Sequence, residues 1–336
     1  MLNSGHSNIK LKRIIQKVDN YFILLLILQP EKQKSLLKLA AIDIGSNAIR
    51  LQVTTTILTK GQLNFKKLEY VRFPLRLGQD VFTIGRISSS NEIKFKKLMQ
   101  AFKILIDLYE VDDYMACATS AMRESINGRQ IVKDVRNETG LEIQIIDGDQ
   151  EAAIINNAIS SFLAPGRNYL HIDVGGGSTE LNILKDGEKV ATRSFKIGSV
   201  RRLEHHDSPE IWDDMQKWVT DKAMEYEGKI TAVGTGGNIN KIFELGQKVP
   251  GDKMRLTEIR EVQKLVSDLS IPDRINELQL NPDRADVIIP ASEIYIAVME
   301  WAAAGRIVVP DVGLKDGIMQ FLYQRKANED RSMVKE

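Results

Sequence analysis

A single cysteine, Cys117, stands in a chain of 336 residues, so no disulfide can close within it. That excludes a cross-linked secreted domain, and the apolar, strand-like run around Cys117 makes it a core thiol suited to a reducing cytoplasm. An excess of one charge is also missing: 46 Lys and Arg against 45 Asp and Glu leave a formal net charge of +1. A DNA- or RNA-binding surface that works by bulk charge is thereby excluded, and any anionic ligand has to be held by local groups. Histidine is scarce at four residues. The tandem His205-His206 has no partner cysteine or further histidine nearby, which makes it surface loop and not a metal site. Heptads, low-complexity tracts and long like-charge runs are absent too. The apolar run Tyr21 to Leu28, preceded by Lys10, Lys12, Arg13 and Lys17, is too short to cross a bilayer. Gln29-Pro30-Glu31-Lys32 follows it where a signal peptide needs a small-residue cleavage site. Neither secretion nor stable membrane association is expected. No methionine falls between Met1 and Met99; residues 1–36 read as an N-terminal extension, with a misassigned start, an appendage or a weak membrane contact left open.

What the chain does contain is a pair of glycine-ended turns about 130 residues apart, Ile42-Asp43-Ile44-Gly45-Ser46-Asn47 and Ile172-Asp173-Val174-Gly175-Gly176-Gly177-Ser178-Thr179. Each follows an apolar strand that carries Asp to its tip, then turns where small residues let backbone N–H groups come close to an anion. An Asp beside a phosphate repels it unless a divalent cation sits between them, so the pairing implies Mg²⁺ or Mn²⁺. Two such turns imply a duplicated domain with a cleft between its halves. A third, Gly234-Thr235-Gly236-Gly237, follows Ile230-Thr231-Ala232-Val233 and precedes a helix expected from Asn238, whose dipole and free N–H groups favour anions. Taken alone, such a turn is as readily a connector as a phosphate site.

From Lys38 the pattern is strand, a second strand over Ile49 to Leu58, a turn at Lys60-Gly61 and a third strand through Leu68 to Phe73, an antiparallel meander. Ser89-x-x-Glu92 has the form of a capping box, and Phe95, Leu98, Phe102, Leu105, Ile106 and Tyr109 share one face of the helix that follows. A strand over Asp113 to Ala118, a helix over Arg129 to Thr139 stopped by Gly140, a strand over Glu142 to Ile146 and a helix from about Asp149 to Phe162 complete the first half. The second half repeats the order: strand to Asp173, strand over Glu180 to Lys185, turn at Asp186-Gly187, strand to Ile197, then helices. A βββαβα unit used twice makes an α/β chain of two lobes, 37–156 and 157–336, each with a mixed sheet.

Further short motifs recur in order along the chain: Arg76-Leu77-Gly78, Ala118-Thr119-Ser120-Ala121-Met122-Arg123-Glu124, Glu151-Ala152, Gly198-Ser199-Val200-Arg201, Arg284-Ala285-Asp286 and Gly313-Leu314-Lys315-Asp316-Gly317. With the three glycine turns and Glu180, they resemble the exopolyphosphatase and guanosine pentaphosphate phosphohydrolase (Ppx/GppA) family, within the acetate kinase, sugar kinase and actin superfamily. The resemblance runs from about Lys38 to Leu322. It implies two actin-like (ribonuclease H-like) lobes, each a mixed sheet with flanking helices, an active site in the cleft between them, and a last helix after Gly317 that packs back on the first lobe.

The implied activity is Mg²⁺- or Mn²⁺-dependent hydrolysis of a terminal phosphoanhydride in inorganic polyphosphate or pppGpp, by attack of water, with release of orthophosphate. Phosphoryl transfer needs positioned water and neutralised oxygens more than covalent chemistry. Glu151 matches the family's catalytic Glu, a water-orienting general base in the first turn of a helix; without the resemblance it reads as an acid favoured by the helix dipole. Asp43 and Asp173 would hold the metal directly or through water, and Glu180 resembles the family's further acidic residue near it. Arg123 would fork onto phosphate oxygens, as lysine cannot. Gly45, Ser46, Asn47, Gly175, Gly176, Gly177, Ser178, Thr179, Gly234, Thr235, Gly236 and Gly237 would offer donors to the phosphate chain, with Arg201 extending the anionic path. Where the family reads Ser-Gly-Glu-Glu-Glu-Ala-Arg, this chain has Asp147-Gly148-Asp149-Gln150-Glu151-Ala152-Ala153, which keeps the catalytic position and loses one acidic and one basic neighbour. The chain ends about where the two lobes end, leaving less surface for a long polyphosphate. Expected partners are the polyphosphate or pppGpp substrate, no DNA or RNA, and, left open, a second copy of the chain. Two other readings stay open: a pppGpp- or nucleotide-binding sensor with little hydrolysis, and a small-molecule kinase of the same superfamily.

Overall fold

The computed structural model describes residues 36–59, 62–226, 230–249 and 251–333. The expected turn at Lys60-Gly61 and nearly all of the N-terminal extension lie outside them. Three strands open the first lobe, β1 (Lys38–Ile44), β2 (Ile49–Thr59) and β3 (Gln62–Phe73), followed by helices α1 (Leu77–Ile84) and α2 (Ser89–Leu108). Then come β4 (Asp113–Ala118), α3 (Ser120–Glu124), α4 (Gly128–Thr139), β5 (Ile143–Ile145) and α5 (Gly148–Ile159), which ends in a 3-10 turn over Ser160–Phe162. The second lobe begins with β6 (Asn168–Val174), β7 (Thr179–Lys185) and β8 (Glu188–Phe195), then α6 (Ser199–Leu203), α7 (Pro209–Met224), β9 (Thr231–Thr235) and α8 (Gly237–Leu245). It continues through β10 (Lys253–Arg255), α9 (Leu256–Ser267), α10 (Ile271–Asn276), α11 (Pro282–Ala285), α12 (Ile288–Trp301) and β11 (Arg306–Val308) to α13 (Leu314–Met333).

Each lobe is built on one mixed sheet, ordered β3-β2-β1-β4-β5 in the first and β10-β11-β9-β6-β7-β8 in the second. Read outward from their centres the two orders coincide, β8-β7-β6-β9-β11 repeating β3-β2-β1-β4-β5, with β10 added at one edge. The central strands β1 and β6 pair antiparallel with the following strand on one side and parallel with β4 or β9 on the other. Such strands are covered on both faces, which explains their near-continuous apolar sequences and makes the Asp near each tip conspicuous. Separate apolar cores form around the two sheets, one including Phe95, Met99 and Phe102 of α2, the other Ile294, Tyr295 and Val298 of α12.

Three local features differ from the sequence reading. Helix α1 has no counterpart in it, because Pro74, Gly78 and a left-handed Arg76 (φ 56°) break up the pattern that would announce a helix. Helix α2 is capped by Ser88, whose hydroxyl accepts from the Asn91 backbone N–H, and not by Ser89. Asp80 of α1 accepts from the Ser88 N–H and the Asn91 side chain, fixing that register. The helix begun after Asp147 ends at Ile159, with Phe162 in the 3-10 turn.

Two helices bring the lobes together around the later site. At the N-terminus of α5, a Cβ on Gly148 would lie 2.6 Å from the Ser194 Cβ on β8, so only glycine lets this helix approach the second sheet so closely. Helix α13 returns to the first lobe, packing on α5, β1 and β4. Arg325 donates to Asp113 of β4 at 3.0 and 2.6 Å, and a Cβ on Gly317 would stand 2.1 Å from the Ile154 carbonyl oxygen of α5. Among the described residues, no helix is long and apolar enough to cross a membrane. Because the α13–α5 contact has no room for a methyl group, Gly317→Ala is expected to cost about 1–3 kcal/mol through overpacking. The denaturant midpoint of unfolding measures it; a variant as stable as wild type would mean that α13 does not seat on α5 in this way.

Candidate active site in the interlobe cleft

The two sheets present equivalent rows of side chains at the tips of their central strands. In the first lobe Asp43 of β1 is register partner to Arg50 of β2, and Arg50 to Arg72 of β3. In the second, Asp173 of β6 faces Glu180 of β7, and Glu180 faces Ser194 of β8. The residue seven after each Asp therefore occupies the same place in the duplicated unit, and it is a cation in one lobe and an anion in the other. Arg50 Nη1 donates to Asp43 Oδ2 at 2.7 Å. Glu180 Oε1 instead accepts from the hydroxyls of Ser178 and Ser194 at 2.7 and 2.8 Å.

Glu151 joins the acidic row from α5. Asp147 caps that helix by accepting from the Gln150 N–H at 2.8 Å, while Gln150 Oε1 accepts from the Asp147 N–H at 3.0 Å, leaving Glu151 in the first turn. One ligand oxygen each from Glu151, Asp173 and Glu180 lie within 4.8 Å of one another. Asp173 and Glu180 are buried, Glu151 is half-buried, and Glu151 Oε2 is sealed from solvent with no hydrogen-bond partner. Loss of hydration, then the Glu180, Asp173 and Asp43 carboxylates, hold Glu151 well above the usual carboxylate range against the pull of Arg123. Burial and Glu180 push Asp173 up to about 7, although a hydrogen bond from Thr235 works the other way. Glu180 is raised by burial, opposed by its two serine hydrogen bonds. An all-oxygen donor set that is desolvated, crowded and carrying an orphaned oxygen fits a hard divalent cation. Asp43, expected from sequence beside Asp173 and Glu180 as a ligand, accepts from Arg50 at 2.7 Å, and the carboxylate that converges on Asp173 and Glu180 is Glu151.

The cleft between the rows has a volume of about 350 Å³. Besides acids it is lined by Arg50, Arg72, Arg284 and Lys315. Arg72 donates to both oxygens of Asp283, yet its Nε is buried without a partner. Burial, and then the proximity of Arg72 and Arg50, lower the proton affinity of Arg284. Half-buried guanidinium groups crowded in this way favour an anion among them. The sequence pattern gives none of the four a role. Arg284 and Lys315 lie in motifs already noted, and the seven-residue spacing could have flagged Arg50; Arg72 is placed by strand register alone.

Of the expected phosphate-binding residues, Gly45, Ser46, Asn47, Gly175, Gly176, Ser178, Gly236 and Gly237 line the cleft. Others do different work. The Thr179 hydroxyl donates to the Ile197 carbonyl at 2.6 Å, Gly234 packs against Ile307 and Ile239, and Gly177 packs against Phe82 and Ser120 of the first lobe. Thr235 is buried, its hydroxyl bonded to His171 at 2.9 Å. Arg123 donates to the Ile146 carbonyl at 2.7 Å and lies near enough to Glu151 and Glu180 to offset their mutual repulsion. Arg201 corrects the expectation of an extended anionic path: Nε donates to the Gly177 carbonyl, Nη2 to both oxygens of Glu124, and the guanidinium stacks 4.0 Å from the Phe82 ring centre. It is an interlobe tie. Tyr295 of α12 pins the strand tips, donating to the Thr235 carbonyl at 2.5 Å and accepting from the Val174 N–H at 3.3 Å.

Comparison with known proteins gives a consistent picture. A family model described as the Ppx/GppA phosphatase family matches residues 56–325. The bifunctional 3-dehydroquinate synthase/phosphatase of Fusobacterium nucleatum is 28% identical over 325 residues, covering 89% of this chain and 48% of that protein. The chain thus spans about half the length of this relative. Exopolyphosphatase 2 of Mycobacterium tuberculosis is 27% identical over 320 residues, covering 84% of this chain and 98% of that one. Among solved structures, the Aquifex aeolicus member of the Ppx/GppA family aligns with a TM-score of 0.69 at 24% identity, over 87% of this chain and 99% of that chain. An exopolyphosphatase from Cytophaga hutchinsonii aligns at 0.73 with 20% identity, over 85% and 97%. These likenesses establish the fold, two lobes each built on a mixed sheet.

The acidic trio predicts a pH-dependent stability. In metal-free protein the folded state keeps protons on these acids that the unfolded state releases, so stability falls as pH rises between the ordinary Asp value of 3.8 and the folded Asp173 value of about 7, with Glu151 and Glu180 acting in the same direction. Thermal midpoints in EDTA from about pH 5 to 7 check this, with Asp173→Asn expected to flatten the decline; a wild-type midpoint that rises with pH as steeply as that of the variant contradicts it.

Proposed function

The chain belongs to the Ppx/GppA phosphatase family, and from that premise we propose that it is a Mg²⁺-dependent exophosphatase of inorganic polyphosphate, with pppGpp as a second substrate. The reaction is hydrolysis of the terminal phosphoanhydride with release of orthophosphate. One observation carries the reading: a single cleft is lined both by Glu151 and Asp173, whose carboxylates crowd against Glu180, and by Arg50, Arg72 and Arg284. A phosphate chain needs the second group, and its reacting end needs the first.

In this reading the guanidinium groups neutralise phosphate oxygens along the chain, and the backbone N–H groups of Gly176, Gly236 and Gly237 receive others, while those of Gly45 and Gly175 close their own turns onto the Ala48 and Ser178 carbonyls. Asp43 orients Arg50 through their hydrogen bond. Asp173 and Glu180 are the residues that would hold Mg²⁺, with Glu151 adjoining. When bound, the ion supplies the positive charge that lets a phosphate approach these carboxylates. Glu151 orients the attacking water and takes its proton, for which its raised proton affinity suits it. A water oxygen forms the new bond to phosphorus, the bridging P–O bond breaks in line with it, and the departing phosphate takes the electron pair. A cytoplasmic site of action agrees with the buried, unpaired thiol of Cys117, which desolvation holds up at about 12.

The test is orthophosphate release from short and long polyphosphate, pppGpp and ATP in parallel, with Mg²⁺ and with EDTA. Release from polyphosphate or pppGpp that EDTA abolishes is expected. Folded protein that binds pppGpp and releases nothing would instead establish a sensor. Glu151→Gln keeps the shape and removes the base, so it is expected to fold normally and lose about 10²- to 10⁴-fold in kcat. A loss below about tenfold would assign the proton to another group.

A further inference from the structure

Residues two apart on a strand share a face, so a second polar row runs beside the acidic one, one step back from the strand tips. Thr192 of β8 is register partner to Asn182 of β7, and Asn182 to His171 of β6. His171 and Asn182 are fully buried. The Thr192 hydroxyl donates to Asn182 Oδ1 at 2.7 Å, Asn182 Nδ2 lies 2.9 Å from His171 Nδ1, and His171 Nε2 lies 2.9 Å from Thr235 Oγ1. Thr235 is in turn register partner to Asp173, which sets the two side chains next to each other, and it lowers the proton affinity of that carboxylate.

The chain of bonds has a direction. An amide nitrogen carries only donors, so Nδ1 of His171 must accept from Asn182, and the neutral ring then carries its proton on Nε2. Nε2 donates to the Thr235 oxygen, which leaves the Thr235 proton for Asp173. Were the Asn182 amide turned over, every bond would reverse and Asp173 would lose a donor. The Thr192 hydroxyl, which donates to Asn182 Oδ1 on the far side of the amide, holds the first arrangement. The first lobe lacks this device: Ala41 stands in the place of His171, and Cys117 faces Asp43 where Thr235 faces Asp173. The relay occurs in the lobe whose Asp belongs to the acidic trio.

We infer that His171 is a positioning residue, which acts through Thr235 to orient the Asp173 carboxylate toward Glu151 and Glu180 for cation binding. The inference rests on the cation-dependent reading above. Partners of this kind, one bond removed from a metal-holding group, typically account for about 10- to 100-fold in metal affinity.

The experiment has two parts on the full chain. Nitrogen-15 NMR of the metal-free protein is expected to find His171 protonated at Nε2 and bare at Nδ1; protonation at Nδ1 overturns the relay. Calorimetric titration with Mn²⁺ alone then compares wild type, Thr235→Val and Thr235→Ser. Thr235→Val is expected to bind about 10- to 100-fold more weakly, and Thr235→Ser, which keeps the hydroxyl, within a few-fold of wild type. Equal affinity of the valine variant and wild type overturns the inference while leaving the cation reading intact. A wild-type protein that binds no Mn²⁺ overturns the cation reading and this inference with it.

Discussion

Three carboxylates held within 4.8 Å of one another, two of them buried, repel each other and have lost most of their hydration. Everything else in the cleft can be understood as an answer to that constraint. Serine hydroxyls and Thr235 offset part of the repulsion locally, and Arg123 offsets part at longer range. What remains is a deficit of positive charge that a divalent cation removes. In the same cleft the problem is also inverted, with three guanidinium groups crowded together and only Asp43, bonded to Arg50, and Asp283, bonded to Arg72 and near Arg284, to compensate them. A cation on one side and a polyanion on the other relieve both deficits together, and this complementarity is the physical core of the proposed reaction.

The opposition arises from duplication. Two sheets of the same strand order carry Asp at the same place, and divergence of the residue seven positions later, Arg50 against Glu180, sets a cation beside the first Asp and an anion beside the second. The lobes meet where side chains are smallest. A Cβ on Gly176 would stand 2.8 Å from the Ser46 Cβ, and one on Gly177 would stand 2.3 Å from the Phe82 ring. The glycines of the second turn therefore serve close packing between lobes as well as access to an anion. Arg201, clamped on Glu124 and stacked over Phe82, holds the same seam, and its burial with a partner on the other lobe makes its removal costly through the charge left behind.

Much of this was legible in the chain. The strand order, the two Asp-tipped turns and the helix carrying Glu151 follow from apolar periodicity, glycine placement and caps, and the family resemblance singled out Glu151 itself. Features that depend on distant register were not. Arg72 meets Asp283 across 211 positions and Arg201 meets Glu124 across 77, separations at which no local pattern operates. Asp43 and Asp173 are equivalent in the sequence pattern, and the residue lying opposite each of them, Arg50 or Glu180, makes their surroundings different. Likewise His171, a lone histidine in an apolar strand, carries no signal until Asn182 and Thr235 are seen on either side of its ring.

The division of labour between equivalent positions is best tested by anomalous diffraction from crystals soaked in Mn²⁺ and orthophosphate. The account predicts the ion among Glu151, Asp173 and Glu180, and phosphate between it and Arg50, Arg72 and Arg284. An ion bound at Asp43, with Arg50 displaced, would contradict it.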